Sequence, residues 1–244
     1  MTRELKPGVS EMPLSSTRKM VRAAVGLILY LLLAPGVLFL SAGTLAWPMA
    51  WAYSALLLIA TLGSRLIVLR RSPDLLRERA QYTQAEGAKP WDRALVGVVA
   101  LYGPILTAVV AGIDHRAAWA PSIPPAAQIM AAVLVAGGFA VSSWAMIVNR
   151  FFSAVVRIQR ERGHSVVSSG PYRLIRHPAY AGGILAYLAI PVMLDAGWAL
   201  IPALAVSAAI VLRTALEDRT LIEELPGYPE YAAQTRHRLV PGIW

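Results

Sequence analysis

Two short stretches in the last third of this chain hold most of the residues that could do chemistry. The first runs from His164 through Gly170, Pro171, Tyr172 and Arg173 to Arg176, His177 and Pro178, and continues to Tyr180 and Gly182. The second starts at Arg213, carries the acid pair Glu217 and Asp218 and then Leu221, and is followed by Pro226, Gly227, Tyr228 and Tyr231. Adjacent carboxylates suit a cationic or hydroxyl-bearing ligand, while Arg176 and Arg213 could orient an anion. A carboxylate acceptor is already ionised at neutral pH and needs an orienting cation but no base. A thiol or amine acceptor would have to lose a proton, for which His164 or His177 is at hand. The chain has no cysteine, so disulfides, a thiolate nucleophile and cysteine-ligated metal are excluded, and no metal site is expected. It also lacks a Gly-x-Gly-x-x-Gly turn, which argues against an ordinary dinucleotide enzyme.

The elements that must position these residues are membrane helices. Apolar residues make up 57% of the 244 and charged residues 15%, against about 25% charged in a soluble domain. No charged residue or histidine falls in Ala23–Ser64, Ala94–Ile113 or Ala117–Asn149. A bilayer-spanning helix needs roughly 20 apolar residues, so the first run is long enough for two crossings around a turn at Gly43–Pro48. Two shorter runs, Pro178–Leu194 and Ala196–Leu212, flank Asp195 and read as a tight hairpin bent by Pro191 and Pro202. The expected fold is all-α and integral to the membrane, with about six transmembrane helices. A flexible arm over 1–20 precedes a four-helix region over 21–148, and the chemistry-bearing region spans 149–244. Leu75–Tyr82 reads as an amphipathic stretch lying on the membrane, and Trp47 and Trp51 as interfacial anchors.

Charge sets the orientation. With the N-terminus in the cytoplasm, 22 of the 23 lysines and arginines fall on that side and only Arg116 falls opposite. This positive-inside bias gives cytoplasmic N- and C-termini. The net charge of +9 is therefore expected to face anionic lipid headgroups, with Arg157, Arg160, Arg162, Arg236, His237 and Arg238 among the contacts. Basic patches interleaved with aromatics, as nucleic-acid binding would need, are absent. The hairpin brings the two polar stretches together at the cytoplasmic face.

These residues resemble a known family. Arg176-His177-Pro178-x-Tyr180-x-Gly182, preceded by Gly170-Pro171-Tyr172, looks like the signature of isoprenylcysteine carboxyl methyltransferases and their bacterial relatives. Phospholipid methyltransferases share a looser form. The family's second signature, an acid pair followed by Leu, is matched by Glu217-Asp218-x-x-Leu221, with Asp where Glu is usual; the Arg four residues earlier is matched by Arg213. The resemblance covers about 149–244.

It implies a membrane methyltransferase that takes S-adenosylmethionine from the cytoplasm and a lipophilic or lipidated acceptor from the bilayer. Under it, Glu217 and Asp218 suit the cofactor's ammonium or ribose, Arg176 and His177 its carboxylate, and Tyr172 or Tyr180 its adenine. Gly170 and Gly182 would admit close approach of backbone, and His164 and Pro178 complete the cofactor-binding set. Arg213 and Arg176 are the candidate catalytic cations. The acceptor implied is a carboxylate, with a small thiol or lipid amine as alternatives. The Ala- and Arg-rich composition points to a GC-rich bacterium, and so to its inner membrane. Plainer readings stand beside these. Arg213 and Glu217, four apart on a helix, could form a local salt bridge. His177-Pro178 could simply start a helix, and Tyr228 and Tyr231 could pin the tail. Whole-protein alternatives are an NADPH-dependent membrane reductase of the steroid-reductase type and a non-catalytic scaffold or transporter.

Overall fold

A computed structural model describes residues 14–82 and 85–244; residues 1–13, most of the expected arm, lie outside the described residues. Among the described residues the structure is helical, without strands. In order come α1 (Leu14–Ala42), α2 (Pro48–Arg71), α3 (Pro73–Ala80), α4 (Pro90–Gly97), a π-helical turn (Val98–Tyr102) leading into α5 (Gly103–Ala117), α6 (Pro125–Val148), α7 (Pro178–Met193), α8 (Leu200–Glu224) and α9 (Tyr228–Gln234). The all-α membrane fold read from composition holds. Among the described residues five helical stretches are long and apolar enough to cross a bilayer, and α7, with 16 residues, is a shorter apolar helix beside them.

Proline marks many helix starts. Pro48, Pro73, Pro90, Pro125 and Pro178 each open a helix, where the missing N–H removes no helical bond and the fixed φ suits the first turn. Pro202 sits in the first turn of α8 for the same reason, whereas Pro191 lies inside α7. α1 begins at Leu14, seven residues before the expected crossing. α8 is longer than its uncharged run, because it continues through Arg213, Glu217 and Asp218 to Glu224. Those charges did not end the helix because Arg213 and Asp218 find partners from other elements, described below.

Small residues let the helices approach closely. A Cβ on Gly138 of α6 would lie 2.4 Å from the Gly182 carbonyl oxygen of α7, and one on Gly182 would lie 2.5 Å from that of Gly138. Without a hydrophobic driving force between helices in lipid, such backbone contact is a main source of association. Gly112 of α5 meets α1 likewise at Leu38 and Ala42. The main apolar core gathers Leu38, Val135, Met193 and Leu194.

Two surface expectations are corrected. Trp47 is buried and stacks on His115 with ring centroids 3.8 Å apart; Trp51 is exposed. α3 has protein rather than lipid under its apolar side, since Leu75 is fully buried in a cluster with Val68 and Met146.

Candidate active site

His177 caps α7 and Pro178 opens it, so the first motif folds as a tight helix start. α8 runs back past it, and the two stretches meet directly. Asp218 is fully buried at the centre. Its Oδ2 accepts from Arg176 Nη2 at 2.9 Å and Arg238 Nε at 2.7 Å. Its Oδ1 accepts from the Tyr228 hydroxyl at 2.9 Å and lies 3.1 Å from His177 Nε2, which therefore carries the proton. One carboxylate thus joins α7, α8, α9 and the tail. Burial pushes the Tyr228 phenol well up, so it stays a donor.

Arg176 serves the same junction. Its Nη1 faces the carbonyl oxygens of Ala232, Thr235 and Arg236, and its Nε approaches Asp218 Oδ1 at 2.9 Å without the alignment of a hydrogen bond. All three guanidinium nitrogens face protein oxygens, so what Arg176 holds is the tail. The backbone adds to this: Arg176 N–H donates to the His237 carbonyl and His177 N–H to that of Arg238, each at 2.9 Å. Arg238 is thus a network member and not a lipid contact. The Tyr231 hydroxyl donates to the Tyr172 carbonyl at 2.7 Å, so both tail tyrosines pin the tail.

A second polar group sits beside this one. The Tyr180 hydroxyl donates to Glu217 Oε2 at 2.5 Å, the only side-chain hydrogen bond Glu217 makes among the described residues. Glu217 is half-buried, in contrast to Asp218. Arg213 stacks over the Tyr180 ring, its Cζ 5.4 Å from the centroid. Arg213 does not bridge to Glu217; its partner is Asp92 of α4, which it meets with Nε at 2.7 Å and Nη2 at 3.0 Å. Asp92 carried no signal in the sequence because its partner lies 121 residues away. Only the fold could reveal it.

The remaining expected site residues hold these groups in place. Tyr172 is buried, with its hydroxyl accepting from Asn149 Nδ2 at 3.2 Å; burial pushes that phenol up as well. Gly170 has φ +58°, a left-handed conformation that favours glycine. The Cβ position of Gly182 is filled by α6, so this glycine serves helix contact and not approach to a ligand. His164 lies apart, in the loop after α6. Its Nδ1 accepts from the Gln159 N–H at 3.3 Å and its ring leans on Phe151, 4.6 Å between centroids. Burial, helped by Arg157 and Arg162, lowers its pKa to about 4. That loop is braced by ion pairs and not by lipid: Arg157 binds Glu78 of α3 with Nε at 2.9 Å and Nη2 at 2.8 Å, and Arg162 pairs with Asp74. No group of three or more His, Asp or Glu that could hold a metal occurs among the described residues.

The segment from α6 through α8 is the one that comparison picks out. Residues 126–225 match the phospholipid methyltransferase family. The match bears out the resemblance carried by the two motifs, and the matching segment contains both of them. Asp92, Tyr228 and Arg238 lie outside it. The chain is also similar to the cobalt-zinc-cadmium resistance protein CzcN of Cupriavidus metallidurans, 36% identical over 96 residues, which is 36% of this chain and 41% of that protein. The chain thus matches about two fifths of the length of that relative.

Proposed function

We propose that this chain transfers a methyl group from S-adenosylmethionine, entering from the cytoplasm, to a lipophilic acceptor arriving through the bilayer. The observation that carries the reading is the union of the α7 motif with the α8 acid pair inside the segment that matches a methyltransferase family. The residues fit the cofactor. Asp218 is consumed by protein partners, but among the described residues Glu217 keeps one oxygen free of them, beside the aromatic ring of Tyr180. A half-buried carboxylate so placed would hold an ammonium or ribose hydroxyls. Bound there, the cofactor would supply an electrophilic methyl on a sulfonium sulfur.

The chain's own part is positioning and exclusion of water. Tyr180 fixes the Glu217 carboxylate. His177 is buried with its Nε2 engaged by Asp218, so its part is in docking the tail. A carboxylate of the isoprenylcysteine type is already ionised at neutral pH and needs no base, which makes it the acceptor of choice over a thiol or amine. Arg213 is the cation to orient it: Nη1 makes no hydrogen bond among the described residues, while Nε and Nη2 are held. Arg176 contributes by docking the tail.

Calorimetric titration of the full chain in detergent tests the reading. S-adenosylmethionine is expected to bind, and Glu217→Gln to weaken it about 10- to 100-fold, as loss of a charge-assisted hydrogen bond does. Binding of NADPH without S-adenosylmethionine would favour a reductase instead. Undiminished affinity in Glu217→Gln would remove Glu217 from the site.

A further inference from the structure

Asp92 is a fully buried carboxylate at the start of α4. Its two oxygens take three hydrogen bonds. Oδ1 accepts from Arg213 Nε at 2.7 Å; Oδ2 accepts from Arg213 Nη2 at 3.0 Å and from the Val156 N–H at 2.6 Å. The Lys89 N–H returns a bond to the Val156 carbonyl at 3.0 Å, and Ala154 offers its carbonyl to Arg213 Nη2 at 3.0 Å. The Arg213 guanidinium is therefore fixed along one edge by Asp92 and on one face by the Tyr180 ring.

A buried ion pair is weak evidence for stability, since apolar residues of similar volume often serve as well. Within a membrane helix an ionisable residue is expensive, and its default explanation is function. The bidentate fork also fixes orientation in a way that a single contact would not. The pair joins α8 to a helix outside the phospholipid methyltransferase segment, so the segment's own arginine is oriented from elsewhere in the chain.

We infer that Asp92 is a positioning residue: it holds Arg213 edge-on through Nε and Nη2 and leaves Nη1 to meet an anionic acceptor. This rests on the reading of Arg213 as the acceptor-orienting cation. Asp92 touches neither cofactor nor acceptor, so its removal acts on acceptor use and leaves cofactor binding alone.

The test uses the full chain in detergent, tritiated S-adenosylmethionine, and two probes: N-acetyl-S-farnesylcysteine, a carboxylate, and phosphatidylethanolamine, an amine. In Asp92→Asn the amide sets a donor against a donor, and kcat/KM for the carboxylate probe is expected to fall about 10- to 100-fold. Cofactor affinity should stay at the wild-type value. If Asp92 acts only through Arg213, the double variant Asp92→Asn with Arg213→Lys loses no more than Arg213→Lys alone. Independent, multiplying losses would overturn the inference, as would wild-type kcat/KM in Asp92→Asn. Should Asp92→Asn fail to fold, Asp92→Glu keeps the charge but shifts the fork. It must lower kcat/KM at unchanged cofactor affinity, and an unaffected rate sinks the inference. A wild-type chain that methylates only the amine probe overturns the role of Arg213 as an anion-orienting group. One that methylates neither defeats the proposed function itself.

Discussion

Asp218→Ala should release the tail while leaving the membrane helices intact. Asp218 is wholly buried and takes Arg176, Arg238, Tyr228 and His177 as partners. Removing it leaves the Arg176 guanidinium buried without its counter-charge, and breaking a buried pair in this way costs about 3–5 kcal/mol. Arg238 is 31% exposed along its side chain, so its share is screened and adds little more than about 1 kcal/mol. Only part of this falls on tail docking, because Arg176 keeps its bonds to the carbonyls of Ala232, Thr235 and Arg236. Taking about 3 kcal/mol for the docking equilibrium, the undocked population rises on the order of 100-fold, at about 1.4 kcal/mol per factor of ten. Hydrogen exchange on the full chain in nanodiscs reads this directly. The Arg176 and His177 amides donate to tail carbonyls, so their exchange should accelerate by that factor, and trypsin should cut faster at Arg236 and Arg238. Unchanged protection of both amides in a correctly inserted variant would refute the view that Asp218 holds the tail.

Two adjacent glycines should answer differently to one methyl group. Gly182→Ala puts a Cβ 2.5 Å from the Gly138 carbonyl oxygen, and thermal melting in detergent should show a loss of about 1–3 kcal/mol from overpacking. Gly183→Ala meets nothing nearer than 3.9 Å and should melt like the wild type. The loop after α6 should weaken in acid: His164 titrates near 4 when folded against about 6.5 unfolded. Above about 6.5 both states are neutral; as pH falls from there toward about 4 the unfolded chain takes up the proton first, so stability declines across that window. Protection factors at Gln159 and His164, taken against the intrinsic exchange rate at each pH, should fall with it, and a His164→Phe variant should lose the pH dependence; a decline of equal size in that variant would show another group to be responsible.

Residue type and order were enough to show a helical membrane protein, because long uncharged runs have few ways to satisfy their backbone outside a bilayer-spanning helix. They were enough, too, for the pairing of the Arg-His-Pro motif with the acid pair, since a hairpin of two apolar runs can only return the chain to the side it left. What the order of residues could not divide was labour between neighbours. Glu217 and Asp218 look equivalent in the chain, yet a rotation of about 100° on the helix turns one into a buried hub and leaves the other half-exposed beside Tyr180. Arg176 and Arg213 likewise read as two candidate catalytic cations. The fold gives Arg176 to tail carbonyls and Arg213 to Asp92, because a buried charge is paired by whatever the distant chain brings within reach, and sequence separation carries no record of that distance.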